Sequence, residues 1–412
     1  MKNASKFYSE NQFFCIFIAI VSIILMVVMT LFFAPFAVLE NKASDMAAHV
    51  EFALQLPNIF DLGVKDFLAQ TSYSHILSYP LWHCLYLLIY RVVTDIKLAT
   101  GLTNAFFVVV TYIVMACIFY RELETQNKKY IAPLLSLLMT FVGSIYVPAI
   151  NQDYYLGQLT FNAWHNPTTI AVKPFTITTV YIFVLILRDV LEMNQEKENK
   201  KFVIFAVLLA MSAFAKPSFV QAFAPVVVVY CVINFLMHPK SGFIFGLKAA
   251  FSMIPVGLVL ILQYCLSLQN SGGIGIELFK VWNLFTTNVT GSLIISILFP
   301  MIIYVLFAKY ILSDKFMQIG LLFFVSAVMQ FSLFYLHVNP NTGDFVWGAY
   351  LATGMFFIVA IIQWINRPMN ALIKILLGGV LGAHVLCGVV YWIEIWIVRE
   401  YKISLTLFER IL

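Results

Sequence analysis

The chain has 412 residues, of which 62% are hydrophobic and 11% charged, about half the charged share of an ordinary soluble domain. So little polar surface cannot cover a water-soluble globule. The formal charge of +5 is small and spread over many short loops, which argues against a nucleic-acid partner and fits orientation in a lipid bilayer.

A helix that crosses a bilayer needs roughly 20 mostly apolar residues, because each backbone N–H and C=O must be satisfied inside the segment. The sequence predicts an all-α polytopic transmembrane protein of about 11 spans, a single membrane domain over 1–412. The first run, 12–38, follows Lys2 and Lys6 and exceeds the ~7–15-residue apolar core of a cleaved signal. It is read as a retained helix with a cytoplasmic N-terminus. Further runs lie at 98–120, 131–147, 168–187, 202–215, 218–237, 243–268, 293–310, 316–336, 345–365 and 372–398.

The segment 75–93 decides the parity of the chain. If it crossed, the loop with Arg121, Lys128 and Lys129 would face outside, and so would the basic loops after it. Its Pro80, Trp82, His83 and Tyr86 suit an interfacial or re-entrant helix. With that choice the basic loops fall on the cytoplasmic side. The loops 39–97, 148–167, 269–288 and 337–344 then share the outer face.

In the first outer loop Ser44 is a candidate helix cap before the amphipathic stretch 46–56, and Asp45 and His49 sit at i and i+4 on one face. A carboxylate there can act as general base toward a hydroxyl or hold a hard divalent cation; solvation of a helix start accounts for Asp45 equally well. The second outer loop packs Asp153, Trp164, His165 and Asn166 between two apolar runs. Rings that stack on a C–H face and amides that take hydroxyls suit a sugar, while an interfacial aromatic belt needs no ligand.

Lys173 and Lys216 fall in apolar sequence near outer ends, where a cation snorkels or meets an anion such as a lipid phosphate. Snorkelling is the expectation for Lys173, and Lys216 stands between the two. Asp344 sits near the start of the 345–365 helix, where the macrodipole favours it. The glycines of 269–288 form no phosphate-binding motif. The six cysteines, His384 and Glu394 are read as packing or pairing residues.

This layout resembles the GT-C superfamily of integral membrane glycosyltransferases, which move a sugar from a polyprenyl-phosphate carrier to an acceptor outside the cytoplasm. The resemblance rests on Asp45 soon after the first helix, the amphipathic 46–56, the Pro80-Leu81-Trp82-His83 surface step, and Ala215-Lys216-Pro217-Ser218. It implies Asp45 as catalytic base or metal-facing acid and Asp153 in the place of a second-loop acid. Here Asp45 lacks an adjacent second acid, Asp153 is not part of an Asp-x-Asp pair, and no soluble outer domain follows. A divalent cation (Mg or Mn) is therefore left open.

The expectation is a plasma-membrane enzyme of cell-envelope polysaccharide biosynthesis that binds a polyprenyl-phosphate-linked sugar donor and a glycan, lipid or protein acceptor. Its substrate would be held by His49, Trp164, His165, Asn166, Lys216 and Asp344. A transporter or lipid-linked sugar flippase is the rival, and a polysaccharide polymerase or ligase the third reading.

Overall fold

The computed structural model describes residues 12–38, 44–58, 63, 79–151, 153–191, 195–265, 273–337, 343–399 and 405. Among them the fold is nearly all helical. The helices are α1 (Gln12–Phe33), α2 (Met46–Gln55), α3 (Leu81–Val93), α4 (Ile96–Glu122), α5 (Lys128–Phe141), α6 (Pro167–Leu191) and α7 (Gln195–Ala215). They continue as α8 (Ser218–Met237), α9 (Pro239–Gln263), α10 (Val289–Ser296), α11 (Leu298–Leu306), α12 (Lys315–Leu333), α13 (Val346–Asn366) and α14 (Ala371–Val398).

Eight of these are long and apolar enough to cross a bilayer, or nine if α10 and α11, bent by 74° at Ile297, count as one span. The chain is thus a multi-pass membrane protein, with fewer such helices than the roughly eleven apolar runs suggest. Two runs fall short for different reasons. The apolar run at 131–147 is helical only to Phe141, because Val142 turns to an extended backbone. The run at 202–215 sits in the 21-residue α7 behind Glu196, Lys197, Glu198, Lys200 and Lys201, charges that keep this helix out of the apolar set without shortening it. Helix α3, with 13 residues and exposed Leu88 and Val92, is too short to cross and sits beside α2. The loop residues before Tyr79 that were expected to join it lie outside the described residues.

Helix pairs α1–α4, α6–α7, α8–α9 and α12–α13 pack along their lengths, and α13 is buried over nearly its whole surface. The basic loops meet at one end. There Arg188 grips Glu122 with two bonds of 2.8 and 2.9 Å, Lys201 lies 2.6 Å from Asp189, and Arg367 lies 3.3 Å from Asp314, which caps α12. Asn366 donates to the Glu122 carbonyl and accepts from the Glu124 N–H, tying α13 to the end of α4.

Between α5 and α6 the described chain is irregular, and residues 142–144 and 154–166 of it are buried. Backbone in such a place must find partners away from water. Gly143 N–H donates to the carbonyl of His384 in the middle of α14, and the His384 ring bonds the Gly143 carbonyl at 2.8 Å. The approach is so close that a side chain on Gly388 would meet the Phe141 carbonyl, so the glycine is required by contact. Ser144 donates to the Leu159 carbonyl, and Asn162 donates to the carbonyls of Met139 and Val142, closing the end of α5. His384 is therefore a pairing residue, as expected.

Candidate functional site

At the end of the bundle opposite the basic loops, three segments converge. Asn166 precedes α6 and accepts the Thr169 N–H at 2.9 Å on Oδ1, the ordinary act of a helix cap. The same oxygen takes the hydroxyls of Thr168 and Thr169 and the ammonium of Lys216 at 3.0 Å. Its Nδ2 donates to the Asp45 carboxylate at 2.7 Å. The partners fix the amide's orientation, since a flipped Asn166 would aim its N–H groups at an ammonium and a backbone N–H.

Lys216 occupies the break between α7 and α8, where Pro217 starts the second helix. It also bonds Thr169 Oγ1 at 2.9 Å and lies 3.8 Å above the Trp347 ring. Every one of these partners is neutral. Burial lowers the Lys216 pKa to about 7, against the opposing pull of the Asp45 and Asp344 carboxylates. The α6 N-terminus, opened by the Thr168 and Thr169 that hold Lys216, adds about half a positive charge at the same place.

Asp45 is exposed and stands at the start of α2. The expected Asp45–His49 neighbourhood resolves into two separate contacts. Asp45 turns to Asn166, while His49 turns away to His83, with ring nitrogens 2.9 Å apart. Ser44 accepts the Met46 N–H, as its capping role predicts, and donates to the His165 carbonyl, which joins the first loop to the second. Burial lowers the His83 and His165 pKa values to about 4, so both are neutral at ordinary pH. The His165 ring packs on Tyr155 at 4.4 Å and near Trp347 at 5.7 Å.

Trp164 is buried against Phe32, Phe33 and Phe141, and with Phe36, Ser44, His165 and Ile395 it lines a narrow cleft beside Asp45. On its other side is an internal cavity lined by Val108, Thr111, Thr140, Asn162 and Lys173 among others. Lys173 does not snorkel. It is buried in α6, bonded to Asn162 Oδ1 at 2.8 Å and set over the rings of Phe161 and Trp164. Snorkelling fails because the irregular segment 142–166 covers the route to the interface and brings an amide oxygen to the ammonium instead.

The structure does not bring Asp153 into this cluster. Its backbone is held in a turn by Asn151, and no contact joins its carboxylate to Asp45, Asn166 or Lys216 among the described residues. Asp344 lies one residue before Phe345, the cap position of α13, and its charge acts on Lys216 and Tyr79. Thr168, Thr169 and Trp347 were not expected in the site. A Pro-Thr-Thr step that opens a helix beside an asparagine was the available signal for the threonines; nothing local marked Trp347. Among the described residues no group of three or more His, Cys, Asp or Glu side chains is arranged to hold a metal ion.

No family model matches the chain, and neither a curated protein nor a solved structure matches it.

Proposed function

We propose that the chain is a membrane glycosyltransferase of the GT-C type, which transfers a sugar from a polyprenyl-phosphate-linked donor to an acceptor on the outer face of the plasma membrane. The carrying observation is the bridge Asp45–Asn166–Lys216: an exposed carboxylate and a buried ammonium on two ends of one amide, with only neutral oxygens and an indole on the ammonium. An ammonium so held has charge to give to a phosphate, and the α6 N-terminus adds to it. The leaving group is already a phosphate, so it needs charge stabilisation more than a proton.

In this reading Lys216, Thr168 and Thr169 hold the donor phosphate. Asp45 takes the proton of an acceptor hydroxyl as that oxygen attacks the anomeric carbon; the bond from that carbon to the phosphate oxygen breaks, and the centre inverts. The cleft beside Trp164 and His165 receives the sugar. As it stands that cleft has room for about one water-sized group, so the donor must displace side chains that close it, Phe36, Ser44 and Ile395 among them. Asp344 adds field at the ammonium, Asp153 has no part in the step, and among the described residues Asp45 belongs to no group of three or more His, Cys, Asp or Glu side chains placed to hold a divalent cation. The test is transfer from radiolabelled polyprenyl-phosphate sugars in proteoliposomes. Asp45→Asn is expected to lower turnover by about 10²–10⁴-fold while the protein stays folded, and undiminished turnover rejects the assignment.

One observation favours a transporter or lipid-linked sugar flippase. Helix α5 ends inside the bundle, beside a buried lysine and an irregular backbone segment, and broken helices of that kind carry substrate sites in carriers. Uptake of the intact lipid-linked sugar, without transfer and without sensitivity to Asp45→Asn, would select that reading.

A further inference from the structure

Outside the site, the described outer loops include a small sheet. Strand β1 (Ile274–Ile276) pairs antiparallel with β2 (Phe334–Leu336), with Ile274 opposite Leu336, Gly275 opposite Tyr335 and Ile276 opposite Phe334. Opposed residues share a face. One face therefore carries Ile274, Ile276, Phe334 and Leu336, and the other carries Gly275 under the ring of Tyr335. On the apolar face Ile274 is 60% exposed and Ile276 is 74% exposed, and Leu278 just beyond is 60% exposed.

Two strands of three residues are at best marginal in water, and a water-facing sheet has no reason to present isoleucines. The location supplies the reason. Strand β2 follows α12 without a break. A helix of 19 residues is about 28 Å long, close to the ~30 Å hydrocarbon thickness. The strand pair therefore begins at the membrane boundary. Apolar side chains are exposed on the neighbouring stretches of helix too, Val325 and Met329 of α12 and Ile261 and Leu262 of α9. The Glu277–Lys280 ion pair, at 3.2 Å and half exposed, marks the watery edge.

We infer that the β1–β2 sheet is a membrane-immersed platform, with Ile274 and Ile276 inserted into the outer leaflet and Glu277 and Lys280 held at the water boundary. The platform is fastened to the interior. Trp282 is buried and donates to the Gly157 carbonyl at 3.0 Å, and Val281 stands beside Gly343 and Leu156. Leu156 and Gly157 belong to the same irregular segment that presents Trp164 to Asn166, so the lipid surface and the candidate site share one piece of backbone.

The test places a benzophenone amino acid at 274, 276 or 280, one position at a time, in the full chain reconstituted in phosphatidylethanolamine–phosphatidylglycerol vesicles, with position 261 of α9 as the lipid-facing control. After irradiation, lipid adducts are expected at 261, 274 and 276, with loss of the adduct at 280. Adducts to a second copy of the chain at 274 and 276, no adduct there while 261 reacts, or equal lipid adducts at 280 would each overturn the inference.

Discussion

The two ends of the bundle hold their cations in opposite ways. At the basic end Arg188, Lys201 and Arg367 meet Glu122, Asp189 and Asp314 within salt-bridge distance. At the other end Lys216 and, deeper in, Lys173 are held by asparagine and threonine oxygens and by ring faces. Paired charges fasten helices and leave nothing to bind. A cation satisfied only by neutral groups is costly to keep and retains its attraction for an anion. The difference separates charges that serve architecture from charges that serve a ligand.

That contrast is open to direct attack by substitution. The largest effect is expected from Lys216→Met, which should cut sugar transfer by about 10²-fold or more without lowering the melting temperature, since a buried cation without a carboxylate is replaced by an apolar chain of similar size. A fall in stability with activity retained would make Lys216 architectural after all. Glu122→Gln should do the reverse. It removes the acceptor charge of Arg188 and weakens the Tyr181 bond, costing about 2 kcal/mol in thermal or denaturant unfolding with transfer unchanged. If both variants behave alike, the distinction between the ends is lost.

The smallest effect concerns pH. His83 and His165 titrate near 4 in the folded protein and near the ordinary value of about 6.5 when unfolded. Above 6.5 both states hold them neutral and stability is flat. As pH falls from 6.5 toward 4 the unfolded state takes up protons first, so stability drops by about 1 kcal/mol per histidine by about pH 5.5. Melting curves of the wild type and of His165→Asn should show the slope and its partial removal. An unchanged slope in the variant would mean that His165 is not held neutral by burial.

Much of this was legible in the sequence. Apolar run length marks the helices, and the basic loops place Arg121, Arg188 and Arg367 at one end because Lys and Arg distribute by side. The convergence of Asp45, Asn166 and Lys216 followed from the same parity argument, which puts the loops that carry them on one face. Three things were hidden. The end of α5 at Phe141 depends on His384 and Gly388, nearly 250 residues away, so no local pattern signals it. Lys173 is held by an oxygen that this break delivers, which a helix-by-helix reading cannot see. Asp153 looked like Asp45 by residue type, yet its backbone bonds Asn151, and among the described residues no bond joins its carboxylate to Asp45, Asn166 or Lys216.

The early stop of α5 also bears on how the protein is made. A run of 14 helical residues is too short to settle across a bilayer by itself, and the stretch after it has bare peptide groups that lipid cannot serve. The partner of Gly143 is His384 in α14, 241 residues further along the chain. The third apolar segment therefore reaches its final seat only after α14 has been made, and a chain cut before α14 would leave Gly143 without the carbonyl and the ring nitrogen of His384.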